Sequence, residues 1–108
     1  MTDPRIDRFE KMVERFPDRS PPRFSLARAL HDAGRHADAE PHYARALELQ
    51  PDLMMAALHR AECLVELDRY EEARTAAMAA REMAQKQGHT GPYADADELL
   101  EDIADELD

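Results

Sequence analysis

The feature that most constrains the fold of this 108-residue chain is an internal repeat with a period of 34 residues. Shifting the sequence against itself by one period aligns identical residues along the whole unit. The identical pairs are Pro17 and Pro51, Asp18 and Asp52, Ala27 and Ala61, Leu30 and Leu64, Arg35 and Arg69, Ala39 and Ala73, Ala46 and Ala80, and Glu48 and Glu82. The same shift places Phe9 on Tyr43 and Val13 on Leu47, so the chain holds about two and a half copies of one unit.

Each unit is predicted to form two short helices. In the first unit, Leu26, Ala27 and Leu30 recur at the spacing of one helix face. Ser20 is expected to cap this helix with its hydroxyl group, since Pro21 directly after it suits the first helical position.

The turn between the two helices of a unit contains a residue that tolerates left-handed backbone. Gly34 occupies this place in the first unit and Asp68 in the second. The second helices are predicted at 37–49 and 71–87, where alanines recur. Because alanine side chains are small, the paired helices are expected to approach closely.

This pattern resembles the tetratricopeptide repeat, a helix-turn-helix unit. The residues that carry the resemblance are Leu26, Ala27, Leu30, Ala39, Tyr43, Ala46 and Pro51, followed by Ala61, Leu64, Tyr70, Ala73 and Ala80. The resemblance implies an all-α fold, a right-handed α-solenoid of antiparallel helix pairs with about two full repeats. Gln85 replaces the family's closing proline, so the last repeat helix is expected to run on toward Gly88.

We expect a single domain over residues 1–108. An N-terminal helix at 3–17 resembles half a repeat, and the full repeats are predicted at 20–52 and 53–87. A capping helix is predicted at 92–107. A repeat cannot bury its faces alone, so the terminal helices are expected to close the stack.

The predicted capping helix is amphipathic and acidic. One apolar stripe runs along it, formed by Ala96, Leu99, Leu100, Ile103 and Leu107. Pro92 is expected to open the helix. The carboxylates beside the stripe are interpreted as a solvated helix face.

Charge excludes several classes of partner. The formal net charge is −10, and residues 93–108 carry eight acids and no base. A chain without a basic stripe is expected to bind nucleic acid or an anionic membrane surface poorly.

The first twenty residues contain no uninterrupted apolar stretch, and the single cysteine, Cys63, excludes an internal disulfide. We therefore expect a cytoplasmic protein whose partner is another protein or a peptide.

The sequence shows no set of residues typical of catalysis. The five histidines are predicted to lie on different elements, apart from His36 and His42, whose six-residue spacing does not place them on one helix face. Cys63 aligns with Ala29 and is interpreted as a packing residue. We predict no enzyme activity, no catalytic residues, no metal and no cofactor.

The resemblance implies a binding groove formed by the first helix of each repeat. The residues predicted to line it are Phe24, Arg28, His31, Met55, Leu58, His59, Glu62 and Val65. Family members that grip the carboxylate tail of heat-shock chaperones use a lysine and asparagine clamp. Phe24, Arg28 and His59 stand at those places here, so a chaperone-tail adaptor is not expected.

Three functions from different classes remain at this point. The first is a non-catalytic adaptor or assembly chaperone that binds a peptide segment or a helix of a partner in the groove. The second is a self-assembling structural protein, such as a homodimer, that uses the acidic C-terminal helix. The third is a metal-dependent enzyme, suggested only by the number of histidines.

Overall fold

The described part of the chain folds into six α-helices joined by short turns. A computed structural model describes residues 3–108, and within that range it contains helices and turns but no strand. The helices are α1 (Pro4–Arg15), α2 (Ser20–Asp32), α3 (His36–Leu49), α4 (Met54–Glu66), α5 (Tyr70–Gln87) and α6 (Thr90–Leu107). Each helix packs on the next one in the chain, and α4 also contacts α6. The all-α solenoid of helix pairs predicted from the sequence is confirmed.

The repeat is visible in the hydrogen bonds of the turns. Between α2 and α3, the amide of Arg35 donates to the carbonyl of Leu30 at 2.9 Å. Between α4 and α5, the amide of Arg69 donates to the carbonyl of Leu64 at 2.9 Å, which is the same bond one period later. The chain therefore reverses direction by the same device in both units.

Left-handed backbone occurs at the two predicted positions, which confirms that interpretation. The φ angle is +76° at Gly34 and +58° at Asp68. Asp68 adopts this conformation at some cost, and its carboxylate accepts a hydrogen bond from the Tyr70 hydroxyl at 2.8 Å. A third left-handed residue, Gly88, ends α5 and confirms the expected extension of that helix.

The core consists of small side chains where the helices meet. The alanines that are identical in the two units are almost entirely buried, with exposures of 0 or 1%. They are Ala27, Ala39, Ala46, Ala61, Ala73 and Ala80. The largest fully buried side chains include Tyr43 in the first unit and Ile103 in α6. None of the described helices has the length and apolar character needed to cross a lipid bilayer.

The predicted capping role of Ser20 and the predicted start of the last helix at Pro92 are wrong. Ser20 is not a cap: it is the first helical residue, and its hydroxyl donates to the side-chain oxygen of Gln50 at 2.7 Å. Pro92 does not open α6, which begins two residues earlier at Thr90. A proline within the first turn is tolerated because the first four amides of a helix have no partner inside it.

The acidic helix closes the stack of its own chain. Ala96 and Ile103 of α6 are fully buried, and Leu99, Leu100 and Leu107 pack beside them.

The buried carboxylate of Glu40 joins the two repeat units. It lies 3.6 Å from the Arg60 guanidinium and 3.5 Å from the Arg69 guanidinium.

Replacing Gly34 with alanine should lower the free energy of unfolding by about 1 kcal/mol, because a Cβ atom is disfavoured in left-handed backbone. Beyond the glycine itself and its two neighbours in the chain, no atom lies within 4 Å of the added Cβ, so the cost is conformational alone. Gly91→Ala is the matched control, since Gly91 is equally open but has no positive φ angle. Equal losses in the two variants, measured by urea denaturation, would contradict this account.

Replacing Ile103 with alanine should cost about 2–5 kcal/mol of unfolding free energy, because it leaves a cavity under α6. Met78→Ala removes a side chain that is 53% exposed and should change stability by less than about 0.5 kcal/mol. The loss at Ile103 should not vary with protein concentration, because α6 packs on its own chain. A concentration-dependent loss would instead show that α6 docks on another copy.

Candidate functional site

The predicted groove residues lie along α2 and α4, which are the first helices of the two units. The structure does not place them in one continuous trough. Instead it divides all of them except Val65 between an aromatic cluster, a cleft and a smaller hollow, and these three features share a side-chain network around His59.

The aromatic cluster joins α2, α3 and α4 and consists of Phe24, His31, His36, Tyr43 and His59. Six neighbouring pairs of these rings have centroids between 5.4 and 6.3 Å apart, and four of these pairs meet edge to face. His31 Nδ1 lies 3.0 Å from the Tyr43 hydroxyl oxygen, so the fully buried tyrosine has a polar partner. Burial lowers the pKa of His31 and raises that of Tyr43, so both side chains are neutral at neutral pH.

A chain of polar side chains crosses from α2 to α4. Arg28 Nη1 donates to His59 Nε2 at 2.8 Å, and His59 Nδ1 donates to a carboxylate oxygen of Glu62 at 2.7 Å. Since arginine only donates, Nε2 of His59 must be the acceptor and Nδ1 must carry the proton. The network therefore fixes both the tautomer and the orientation of the ring.

The carboxylate of Glu62 is held ionised by this network. Burial disfavours the charged form, but the hydrogen bond from His59 and the nearby basic groups outweigh it and lower the pKa of Glu62. Glu62 is therefore a fixed negative charge at the edge of the surface formed by α2 and α4.

Beside this network, α4 and α6 enclose a cleft of about 320 Å³, called here the α4/α6 cleft. Its lining residues are Met55, Leu58, His59, Glu62, Asp95, Glu98, Leu99 and Asp102. The apolar members come from both helices, and three of the four carboxylates come from α6. The described residues that line this cleft include no lysine or arginine. The cleft thus combines apolar contact area with a rim of negative charge.

The predicted residues occupy four different environments. Met55, Leu58, His59 and Glu62 line the α4/α6 cleft, but Leu58 is only 4% exposed and mainly packs the helices together. Val65 is partly buried beside Ile103, under α6.

The other predicted residues lie toward α1. Phe24 and Arg28 line a separate hollow of about 270 Å³ together with Arg5 and Phe9. His31 belongs to the aromatic cluster.

Sequence reasoning missed two parts of this region. The first is the acidic wall of the cleft: Asp95, Glu98 and Asp102 are exposed, as expected, but they face α4 across the cleft. Their spacing of three and four residues beside the apolar stripe was the available signal. The second is the convergence of His31 with His36, which depends on the turn between α2 and α3.

The chain matches a known sequence family and known folds. The sequence pattern of the tetratricopeptide repeat matches residues 7–87. None of the curated proteins matches the chain. Three similar solved structures have TM-scores from 0.82 to 0.86 and sequence identities from 19 to 22%. At such identities the likeness shows the fold alone.

Each of these three structures is a complex. The TPR2B domain of yeast Sti1, in a complex with pHsp70, has a TM-score of 0.85 at 19% identity, covering 94% of this chain and 81% of that one. The Yersinia enterocolitica type III secretion chaperone SycD, with a peptide of the translocator YopD, has 0.86 at 19%, covering 95% and 79%. The first TPR of Spaghetti (RPAP3), bound to the HSP90 peptide SRMEEVD, has 0.82 at 22%, covering 94% and 76%.

Replacing His59 with alanine should raise the pKa of Glu62 toward its ordinary value of 4.5, because the hydrogen bond to the ionised form is lost. Carboxyl chemical shifts followed by NMR during an acid titration measure this change. The matched control is His42→Ala, which removes a half-buried histidine that contacts Arg23 instead.

The lowered pKa of Glu62 determines the direction in which stability changes with pH. Its ionised form stabilises the native state at neutral pH, and this contribution is lost as the pH falls below about 4.5 and through the native-state pKa. The stability difference between the wild type and Glu62→Gln should therefore shrink in acid. An unchanged Glu62 titration in His59→Ala would refute the assigned network.

Proposed function

Because the chain belongs to the tetratricopeptide repeat family, we propose that it is a protein-interaction module that binds a segment of a partner protein in the α4/α6 cleft. The observation that carries this proposal is the combination of an apolar lining with a rim of four carboxylates between two helices of one stack. Apolar side chains in such a cleft supply affinity, and charged groups at its rim select the partner.

The charge of the rim favours a basic partner segment. Glu62 is held ionised on one side, and Asp95, Glu98 and Asp102 stand on the other. A peptide with an apolar side chain flanked by lysine or arginine would pair with these carboxylates. An acidic peptide such as SRMEEVD, which the RPAP3 domain binds, would meet like charges here.

The hollow lined by Phe24 and Arg28 extends the proposed surface toward α1. Arg28 takes part in the same hydrogen-bond network as His59 and Glu62, so this network connects the cleft to α2. We propose a non-catalytic adaptor or assembly-chaperone role. A reducing compartment such as the cytoplasm suits the single free thiol, Cys63.

The sequence also allows a different function, self-assembly of the chain through α6. The apolar stripe of α6 packs on α5 and α4 of the same chain, so an exchanged dimer would have to undo these contacts.

Binding should depend on the charges that face the cleft and not on the overall charge of α6. A random peptide display library, selected against the full chain, should yield peptides that combine apolar residues with lysine or arginine. The double variant Glu98→Lys with Asp102→Lys should bind the selected peptides with an affinity lower by about tenfold or more.

The matched control is Glu101→Lys with Asp105→Lys. These residues are exposed on the same helix but do not line the cleft, and the substitutions change the net charge by the same amount. The control should bind within about twofold of the wild type, and SRMEEVD should not bind. Equal losses in both double variants, or selection of acidic peptides, would overturn the proposal.

A further inference from the structure

Two histidines of the aromatic cluster lie close to the single cysteine of the chain. His31 lies in the last turn of α2, His36 is the first residue of α3, and Cys63 lies in α4. One potential ligand atom from each residue lies within 4.8 Å of the other two. The three helices thus bring together residues that are far apart in the sequence.

We propose that His31, His36 and Cys63 form a binding site for a Zn²⁺ ion. Imidazole nitrogen and thiolate sulfur are the donor types that zinc prefers in proteins. Zinc bonds of about 2.0–2.3 Å place ligand atoms roughly 3.5 Å apart, so the three groups need to close by only about 1 Å. Three protein ligands leave the fourth position of a tetrahedral ion for a water molecule.

The surroundings of the two histidines support this assignment. His36 Nδ1 is buried and has no hydrogen-bond partner among the described residues, whereas buried polar atoms of this kind ordinarily have one. His31 Nδ1 lies 3.0 Å from the Tyr43 hydroxyl, which orients the ring and leaves Nε2 for the ion. Such an outer partner is the usual companion of a metal-bound histidine.

The charges around Cys63 are mixed. The carboxylates of Glu62, Glu40 and Glu66 contribute negative potential at the thiol, and Arg28 opposes them. The Arg28 guanidinium is engaged with His59 and Asp32, which lie 2.8 and 3.7 Å away.

Binding requires that the thiol lose its proton. Burial raises the pKa of Cys63 to about 12, so the metal-free side chain is a neutral thiol. Zinc binding breaks the S–H bond, forms a Zn–S bond and releases one proton to the solvent. Cys63 is fully buried, while His31 and His36 are partly exposed, so the ion would enter from the histidine side.

The test is a titration of the full chain, first stripped of metal with a chelator, with Co²⁺ as a spectroscopic probe and with Zn²⁺ in a calorimeter. We expect one equivalent of either ion to bind and cobalt to show a thiolate charge-transfer band. Cys63→Ala should abolish the band, and His36→Ala should weaken binding by about tenfold or more. His89→Ala, which removes an exposed histidine outside the cluster, should leave binding unchanged.

The variants are chosen so that folding does not confuse the result. Alanine stands at the place of Cys63 in the first unit, where Ala29 is buried, and circular dichroism verifies that each variant is helical. If Cys63→Ala fails to fold, the metal affinity of His36→Ala is the test of the site. Absence of the cobalt band, or equal binding by the wild type and His36→Ala, would overturn the proposal and show an adventitious ion only. Neither result bears on peptide binding in the α4/α6 cleft.

Discussion

The close approach of neighbouring helices across buried alanines is the constraint on which the rest of the molecule depends. Ala27, Ala39 and Ala46 of the first unit and their counterparts one period later are almost completely excluded from water. A larger side chain at any of these positions would separate the helices, because the interior of a protein is close-packed. Three of the eight identical pairs in the 34-residue repeat are alanines at these contacts, so the repeat partly reflects a steric requirement.

This packing determines what the surface can offer. Since the small residues occupy the contacts between helices, the larger and more polar residues of α2, α4 and α6 are left at the edges. The aromatic cluster forms where Tyr43 reaches from α3 toward α2 and α4. The α4/α6 cleft forms because α6 follows α5 and returns beside α4, as the first helix of a further unit would.

The fold could be predicted from the sequence, whereas parts of the candidate site could not. The reasons for the difference are physical. Periodicity predicts the helix pairs, the left-handed turns at Gly34 and Asp68, and the apolar stripe of α6. It did not place Ser20, because the partner of its hydroxyl, Gln50, lies thirty residues away and competes with local capping. It also did not show that α6 would turn three carboxylates toward α4, since the direction of a helix face depends on its packing.

The predicted groove residues illustrate the same limit. The positions on α4 could be read from helical spacing, and four of them do line one cleft. Spacing alone could not show that Leu58 would be buried or that Phe24 and Arg28 would line a different hollow. It also could not show the meeting of His31, His36 and Cys63, which requires three helices and two turns to be in place.

The central claim is that the space between α4 and α6 receives a segment of another protein. An NMR titration of the isotope-labelled chain with a peptide selected for binding tests it most directly. The account predicts that the amide signals of Met55, Glu62 and Leu99, which line the cleft, shift together and saturate. Shifts confined to the surroundings of Met12 and Met78, exposed apolar residues outside the cleft, would contradict it.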